Sequence, residues 1–187
     1  MKQKTRDRIV EVADQHFYRA GFSQTSFADI ADELGISRGN FYHHFKTKDE
    51  ILDAVIEYRL AKTQKMLDDW EADNPDPVDR ISCFIRILVM NKSKIALYGC
   101  PVGTLSGELA KLDHELKDEA TKIFTLFRNW LARQFAEVGR KDAADDLAMH
   151  LLSRSQGVAT LANAFNDLDF LHAEVDLMFE WLAEQLN

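Results

Sequence analysis

The chain has 187 residues, of which 46% are hydrophobic and 29% are charged, and these are the proportions of an ordinary globular protein. They exclude a fibrous or wholly disordered chain, and no apolar run approaches the ~18 residues that a membrane-spanning helix needs. The formal net charge is −8.

The two cysteines, Cys83 and Cys100, are too few for a disulfide framework and lack the spacing of a structural zinc site. The N-terminal residues have no signal-peptide pattern. We therefore expect a cytoplasmic protein with no metal and no cofactor.

Charge is divided unevenly along the chain. Residues 1–48 carry eight Lys and Arg against six Asp and Glu, a net charge of +2, and residues 49–187 carry fifteen against twenty-five, a net charge of −10. Because the acidic part would repel a polyanion, any contact with nucleic acid is expected in the N-terminal segment.

Apolar residues recur at helical spacing and no alternating strand pattern is present, so the sequence predicts an all-α fold. Gly21 and Gly35 are predicted to end the first two helices, and residues 47–50 (TKDE) form a capping box that begins the fourth. We predict about nine helices, over residues 5–20, 26–34, 37–44, 48–71, 78–95, 101 onward, 113–138, 142–165 and 168–186.

Residues 26–45, SFADIADELGISRGNFYHHF, have the pattern of two short helices joined by a tight turn. Phe41 and Phe45 are predicted to anchor the second helix, which leaves polar side chains on its exposed side. A short helix with a polar N-terminus fits the major groove of DNA, where Arg pairs with guanine and Asn with adenine. Arg38 and Asn40 are therefore the candidates for base contacts.

Over residues 5–56 the chain resembles the TetR/AcrR family of bacterial transcription regulators. The resemblance is carried by the ordered elements A-G-F, T-S-x-x-x-I-A, L-G-I-S-R-G-x-F-Y-x-H-F and K-D-E-I-L, and more weakly by GCPVGTLSGEL at residues 99–109. It implies a three-helix helix-turn-helix DNA-binding domain at residues 1–47 and a helical effector-binding and dimerisation domain at residues 48–187. It also implies a homodimer made by the last two helices.

Carried over residue by residue, the resemblance predicts a set of side chains at the DNA interface. Ser26, Ser37, Tyr42 and Lys48 suit phosphate oxygens, which fix register without reading sequence. Ala28 departs from family members that have a base-reading Arg, so the operator sequence cannot be transferred. The complete predicted set is Thr25, Ser26, Phe27, Ser37, Arg38, Gly39, Asn40, Tyr42, His43 and Lys48.

Residues 66–165 contain many aromatic residues with scattered polar partners, as a ligand cavity would. The alternative for most of them is ordinary core, and for Arg154 it is an ion pair with an acidic residue at the dimer interface. The predicted ligand-binding residues are Trp70, Phe84, Asn91, Tyr98, Phe124, Phe127, Trp130 and Arg154.

Pro101 is predicted to place Cys100 at a helix N-terminus, where the helix dipole favours a thiolate. Cys100 is then either a thiol that senses oxidants or electrophiles, or a small packed side chain at a bend.

The helices predicted over residues 142–165 and 168–186 have wide apolar faces. The small residues Ser155, Gly157, Ala159 and Ala162 would allow close packing in a four-helix dimer interface. The alternative is that these faces form an intramolecular core.

We predict a ligand-responsive, homodimeric transcription regulator, a repressor that a small-molecule effector releases from a pseudo-palindromic double-stranded DNA operator. Two alternatives stay open: a helical protein-interaction module without DNA binding, and a thiol-based sensor acting through Cys100. An enzyme is not expected, because the sequence has no HExxH and no glycine-rich phosphate loop.

Overall fold

The computed structural model describes residues 2–186, with side chains from residue 4 onward. Helices fill most of this range and no strand occurs in it, which confirms the all-α prediction. Within it, no helix has the length and apolar character needed to cross a membrane. The helices are α1 (Lys2–Ala20), α2 (Phe27–Leu34), α3 (Arg38–His44), α4 (Lys48–Asp73), α5 (Pro77–Met90), α6 (Lys92–Tyr98), α7 (Pro101–Lys111), α8 (Lys117–Glu137), α9 (Ala144–Phe165) and α10 (Leu168–Leu186), with a short 3-10 helix at Lys141–Ala143.

Two predicted helices differ most from the observed ones. The helix predicted over residues 78–95 is divided at Asn91, whose side-chain amide donates to the Ile87 carbonyl at 2.9 Å, so that α5 ends and α6 begins there. Asp113, predicted to cap the following long helix, instead takes a positive φ of 48° in the connection after α7. It forms an ion pair with Lys117, the first residue of α8.

The chain divides into two compact units. Unit 1 comprises residues 1–62 and 104–123, and unit 2 comprises residues 63–103 and 124–187. The helices α4, α7 and α8 each contribute residues to both units. The predicted domain boundary between residues 47 and 48 stays a prediction.

The core of unit 1 is shared by segments that are distant in sequence. Side chains from α1 to α4 form most of it, and Leu105 and Leu109 of α7 join them at 3% and 0% exposure. Ala120 of α8 is also fully buried in this core. The three N-terminal helices therefore share their hydrophobic core with residues far along the chain, which is how so short a segment buries enough apolar surface.

Unit 2 contains a hairpin of two long helices, α9 and α10, joined at Asn166, which takes a left-handed φ of 51°. Arg154 of α9 forms an ion pair with Glu174 of α10 at 3.1 Å, and the ring of His150 stacks on that of Trp181 with 4.6 Å between centroids. These contacts fix the two helices as antiparallel neighbours. Helix α10 also packs on α5, and α9 packs on α6.

Candidate functional site

Helix α2 begins with a complete capping box. The Asp29 amide donates to Ser26 Oγ at 3.3 Å, and the Ser26 amide donates to Asp29 Oδ2 at 2.7 Å. The helix ends at Gly35, whose φ of 65° lies in the left-handed region that glycine adopts without strain. These local signals explain why α2 is only eight residues long and why the chain turns directly into α3.

Helix α3 presents a polar face to solvent. Ser37 caps it, with Oγ accepting from the Asn40 amide at 3.2 Å, while Phe41 points inward at 1% exposure. The exposed residues are Ser37, Arg38, Gly39, Asn40, Tyr42 and His43. All six belong to the predicted DNA-binding set, and the fold places them on one short helix and its cap.

The Tyr42 ring is held in place although 46% of the residue is exposed. It meets Phe27 edge-on, with centroids 5.4 Å apart, and Phe27 in turn packs on Phe41 at 5.0 Å. A groove of about 330 Å³ runs beside these rings. It is lined by Ser26, Phe27, Ala28, Ala31, Arg38, Phe41 and Tyr42.

Gly39 faces open space, because a Cβ built on it would meet no atom within 4 Å. The fold around this residue therefore leaves room for a side chain. The missing Cβ allows a binding partner to approach the N-terminal turn of α3 closely.

Three of the predicted DNA-binding residues make contacts within the protein. Thr25 is buried at 3% exposure and its hydroxyl donates to the Gly21 carbonyl at 2.8 Å, and its contact with DNA stays a prediction. The Ser26 hydroxyl donates to Asp29 Oδ2 at 2.7 Å and serves the capping box. The Lys48 ammonium, half-buried, donates to the Ser23 carbonyl at 3.1 Å.

One residue near this surface was not predicted from the sequence. Glu108 of α7 lies against the turn between α1 and α2, where its carboxylate accepts two backbone hydrogen bonds. The available signal is its place in the segment GCPVGTLSGEL, which carries the weaker part of the family resemblance.

Four of the eight predicted ligand-binding residues form two aromatic pairs in unit 2, and each pair includes one residue of α8. Trp70 meets Trp130 with centroids 5.7 Å apart, and Phe84 meets Phe127 edge-on at 5.5 Å. Trp130 is 3% exposed, and its indole nitrogen has no hydrogen-bond partner among the described residues. We call Trp70, Phe84, Phe127 and Trp130 the aromatic cluster.

The other four predicted ligand-binding residues have different surroundings. Arg154 is paired with Glu174 of the same chain, which bears out the ion-pair alternative in part but within the α9–α10 hairpin. Asn91 separates α5 from α6, and Tyr98 is the last residue of α6. Phe124 lies on α8, partly exposed.

Cys100 directly precedes α7, as predicted, and its sulfur accepts a hydrogen bond from the Gly103 amide at 3.5 Å. The thiol is half-buried. In the described part of the chain, no group of three or more His, Cys, Asp or Glu side chains has a metal-binding arrangement. The reactivity of Cys100 stays a prediction.

Comparisons with known proteins identify both parts of the chain. Residues 9–55 match the family model for bacterial regulatory proteins of the tetR family, and residues 77–176 match the model for the C-terminal domain of LmrA/YxaF-like transcriptional regulators. An uncharacterized HTH-type transcriptional regulator in the lacX 3' region of Lactococcus lactis subsp. lactis is 27% identical over 98% of this chain and 97% of its own. The uncharacterized HTH-type transcriptional regulator YxaF of Bacillus subtilis (strain 168) is 26% identical over 82% of each chain.

A solved structure agrees with these relatives. The TetR transcriptional regulator from Legionella pneumophila superimposes with a TM-score of 0.83 at 25% identity, covering 94% of this chain and 96% of that one. Because the C-terminal family model alone covers more than half of the sequence, and the N-terminal model covers the helix-turn-helix just described, the chain belongs to the TetR family of helix-turn-helix transcriptional regulators.

Proposed function

We propose that this regulator binds a pseudo-palindromic operator as a homodimer, with one α3 in each half-site, and that a small-molecule effector weakens this binding. The observation that carries the proposal is the exposed face of α3, where Arg38, Asn40, Tyr42 and His43 stand clear of a core sealed by Phe41. A buried or neutralised face would have favoured the alternative of a protein-interaction module.

The proposed contacts divide into two kinds. Arg38 and Asn40, near the N-terminus of α3, have the donor and acceptor groups that read guanine and adenine edges in the major groove. Ser37 and Tyr42 have hydroxyl groups that donate to phosphate oxygens and fix the register. Thr25 and Ser26 shape the approach to α2, and Lys48 adds positive charge beside it.

The proposed dimer is formed by α9 and α10, which we predicted over residues 142–165 and 168–186. Both helices leave apolar side chains exposed: Leu161 at 44% and Phe165 at 73% on α9, and Leu177 at 45% on α10. Of the small residues predicted to allow close packing, Gly157 is exposed, whereas Ser155, Ala159 and Ala162 are buried inside this chain. Exposed apolar surface on two adjacent helices supports a partner there.

The proposed effector site is the aromatic cluster. Its rings offer apolar walls, and the unpaired indole N–H of Trp130 offers one buried donor to an acceptor atom of a ligand. A buried donor without a partner costs about 1–3 kcal/mol, which an effector carrying a carbonyl or ether oxygen would recover. An effector that binds two states of the dimer unequally, with a coupling of about 1–3 kcal/mol, changes operator affinity by roughly 5–150-fold.

Tryptophan emission reports on this site. A compound that releases the operator is expected to quench the emission of the wild-type protein, because two of its three tryptophans lie in the aromatic cluster. Quenching should be largely lost in the Trp70→Phe, Trp130→Phe double variant and retained in Trp181→Phe. Quenching that persists in the double variant would place the effector elsewhere.

DNA binding itself is tested with duplexes selected by the wild-type protein from a random library. The enriched sequence is expected to be pseudo-palindromic, since a two-fold dimer reads two half-sites. Its affinity, measured by fluorescence anisotropy, should fall steeply with salt, with a log–log slope of about −0.9 for each phosphate contact. Failure to enrich any duplex, or an affinity insensitive to salt, would contradict the proposed function.

A further inference from the structure

The turn between α1 and α2, residues 21–25, is held by a side chain from a distant part of the sequence. Glu108 of α7 accepts hydrogen bonds from the Phe22 amide through Oε2 and from the Ser23 amide through Oε1, each at 2.8 Å. The Lys48 ammonium donates to the Ser23 carbonyl at 3.1 Å and lies 4.5 Å above the Phe22 ring. A carboxylate thus binds the amide side of the turn and an ammonium binds its carbonyl side. We call this arrangement the Glu108 clamp.

Hydrogen bonds and charge favour the ionised form of Glu108 in spite of its partial burial. Burial alone would raise the pKa of Glu108, but the hydrogen bonds from Ser23 and Phe22 and the nearby Lys48 ammonium outweigh it, so the pKa lies below its usual value. Burial lowers the pKa of Lys48, and the surrounding carboxylates of Glu108, Asp49 and Asp29 oppose that effect. Hydrogen bonds to a charged group are roughly twice as strong as neutral ones, so the carboxylate is a strong anchor for an exposed turn.

The shape of the turn is matched to the carboxylate. Gly21 has a φ of 90°, and a Cβ built on it would lie 3.1 and 3.3 Å from the two Glu108 oxygens. Phe22 anchors the turn from the inside, at 6% exposure, with its ring edge-on to Phe17 at 5.3 Å and to His114 at 5.2 Å. The absence of a side chain at residue 21 is therefore part of the clamp.

The clamp acts on the segment that leads directly into the DNA-binding surface. The turn ends at Thr25, and the next residue is the Ser26 cap of α2. Helix α2 supports α3 through Phe27, which packs on Phe41 and Tyr42. Glu108 itself lies in residues 77–176, the range matched by the C-terminal domain model, so the clamp connects that part of the sequence to the helix-turn-helix.

We infer that Glu108 is a positioning residue for DNA binding: by fixing the turn before α2, it holds α2 and α3 in the geometry that binds the operator. This inference rests on the proposed function. It concerns a residue with no place on the α3 face and no contact with DNA in the proposed complex.

Whether removing the Glu108 charge weakens or strengthens DNA binding distinguishes a positioning role from a purely electrostatic one. DNA is a polyanion, so removing a negative charge from the protein should by itself strengthen binding. If Glu108 positions the surface, removing its charge should weaken binding instead. The population of the binding-competent arrangement falls, and the apparent affinity falls by the same factor.

The test compares Glu108→Gln and Glu108→Asp with the charge-matched control Glu115→Gln, whose glutamate is exposed. The probe is a fluorescent duplex enriched by the wild-type protein from a random library. We expect both Glu108 variants to bind it about 10-fold more weakly, since each loses well-placed hydrogen bonds to the turn. Glu115→Gln should bind as the wild type does or slightly more tightly. Glu108→Asp keeps the charge, so a purely electrostatic account predicts wild-type binding for it.

Hydrogen exchange gives a readout that general destabilisation would not reproduce. In both Glu108 variants the amides of Phe22 and Ser23 should exchange faster, while the buried amide of Val55 in α4 keeps its protection. Wild-type affinity in both variants, or unchanged exchange at Phe22 and Ser23, would overturn the inference. If the circular dichroism shows that Glu108→Gln is unfolded, the affinity and hydrogen exchange of Glu108→Asp test the inference. If the wild type enriches no duplex, the proposed function fails and this inference fails with it. If the wild type enriches a duplex and both Glu108 variants bind it with wild-type affinity, the inference alone fails.

Discussion

Replacing Arg38 and Tyr42 together by alanine is expected to weaken operator binding by about 1,000-fold or more. One bidentate contact from Arg to a base is worth about 1–3 kcal/mol, and a hydroxyl bond to phosphate adds about 1 kcal/mol. A dimer loses each contact twice, once in each half-site, and every 1.4 kcal/mol corresponds to about a factor of ten. Anisotropy with the selected duplex measures the change.

The structure gives a reason to expect this loss without unfolding. Arg38 is exposed, and Tyr42 is 46% exposed with its ring resting on Phe27. Neither side chain fills the core, which Phe41 and Phe45 seal at 1% exposure each. The helical circular dichroism and the dimer mass should therefore match those of the wild type.

Single variants separate the two roles. Arg38→Lys keeps the charge but loses the planar fork, so it should relax base preference at one position more than it lowers overall affinity. Tyr42→Phe removes the hydroxyl and should weaken binding to all sequences about equally. Lys94→Ala removes a positive charge from an exposed site on α6 and serves as the control. If the double variant binds as this control does, α3 is not the DNA-reading element.

The recognition helix could be predicted from the sequence because its signals are local. Gly35 as the turn and Phe41 as the anchor lie within a few residues of each other, and the structure places both as expected. The capping box of Ser26 and Asp29 is just as local, since its two residues are three positions apart. Hydrogen bonds between residues three or four apart leave a mark on the sequence that can be read directly.

Contacts between distant segments produce no local pattern in the sequence. No local pattern indicates that the ammonium of Lys48, predicted to bind phosphate, donates to the carbonyl of Ser23, which lies 25 residues earlier. The partners of Glu108 lie 85 and 86 residues away, so no local pattern could indicate them. The same limit applies to the pairing of Phe84 with Phe127, which only the packing of α5 on α8 determines.

Helical periodicity also cannot tell which surface covers an apolar or small residue. Ser155, Ala159 and Ala162 were predicted to allow close packing in a dimer, yet each is at most 3% exposed within this one chain. Leu161 on the same helix, given no role from the sequence, remains 44% exposed. The structure therefore moves the proposed interface to a different stripe of α9, and this stripe supplies the variants that test it.

Replacing Leu161 or Leu177 by glutamate is expected to convert the dimer into a monomer. A two-fold interface contacts itself through the same patch on both subunits, so each substitution introduces two charges into one apolar contact. The cost of burying unpaired carboxylates is several kcal/mol, enough to dissociate a dimer at micromolar concentration. Sedimentation should then give a species near the chain mass of 21.4 kDa in place of twice that value.

A variant that no longer dimerises should also bind DNA more weakly. A single α3 reads one half-site, so affinity for the selected duplex is expected to fall by at least about 100-fold even though the residues of α3 are unchanged. Leu112→Glu is the matched control, because Leu112 is 50% exposed and belongs to unit 1, whereas α9 and α10 belong to unit 2. A Leu161→Glu or Leu177→Glu protein that sediments as a dimer would show that subunits associate through another surface. One that is monomeric but binds the operator normally would show that a single helix-turn-helix suffices.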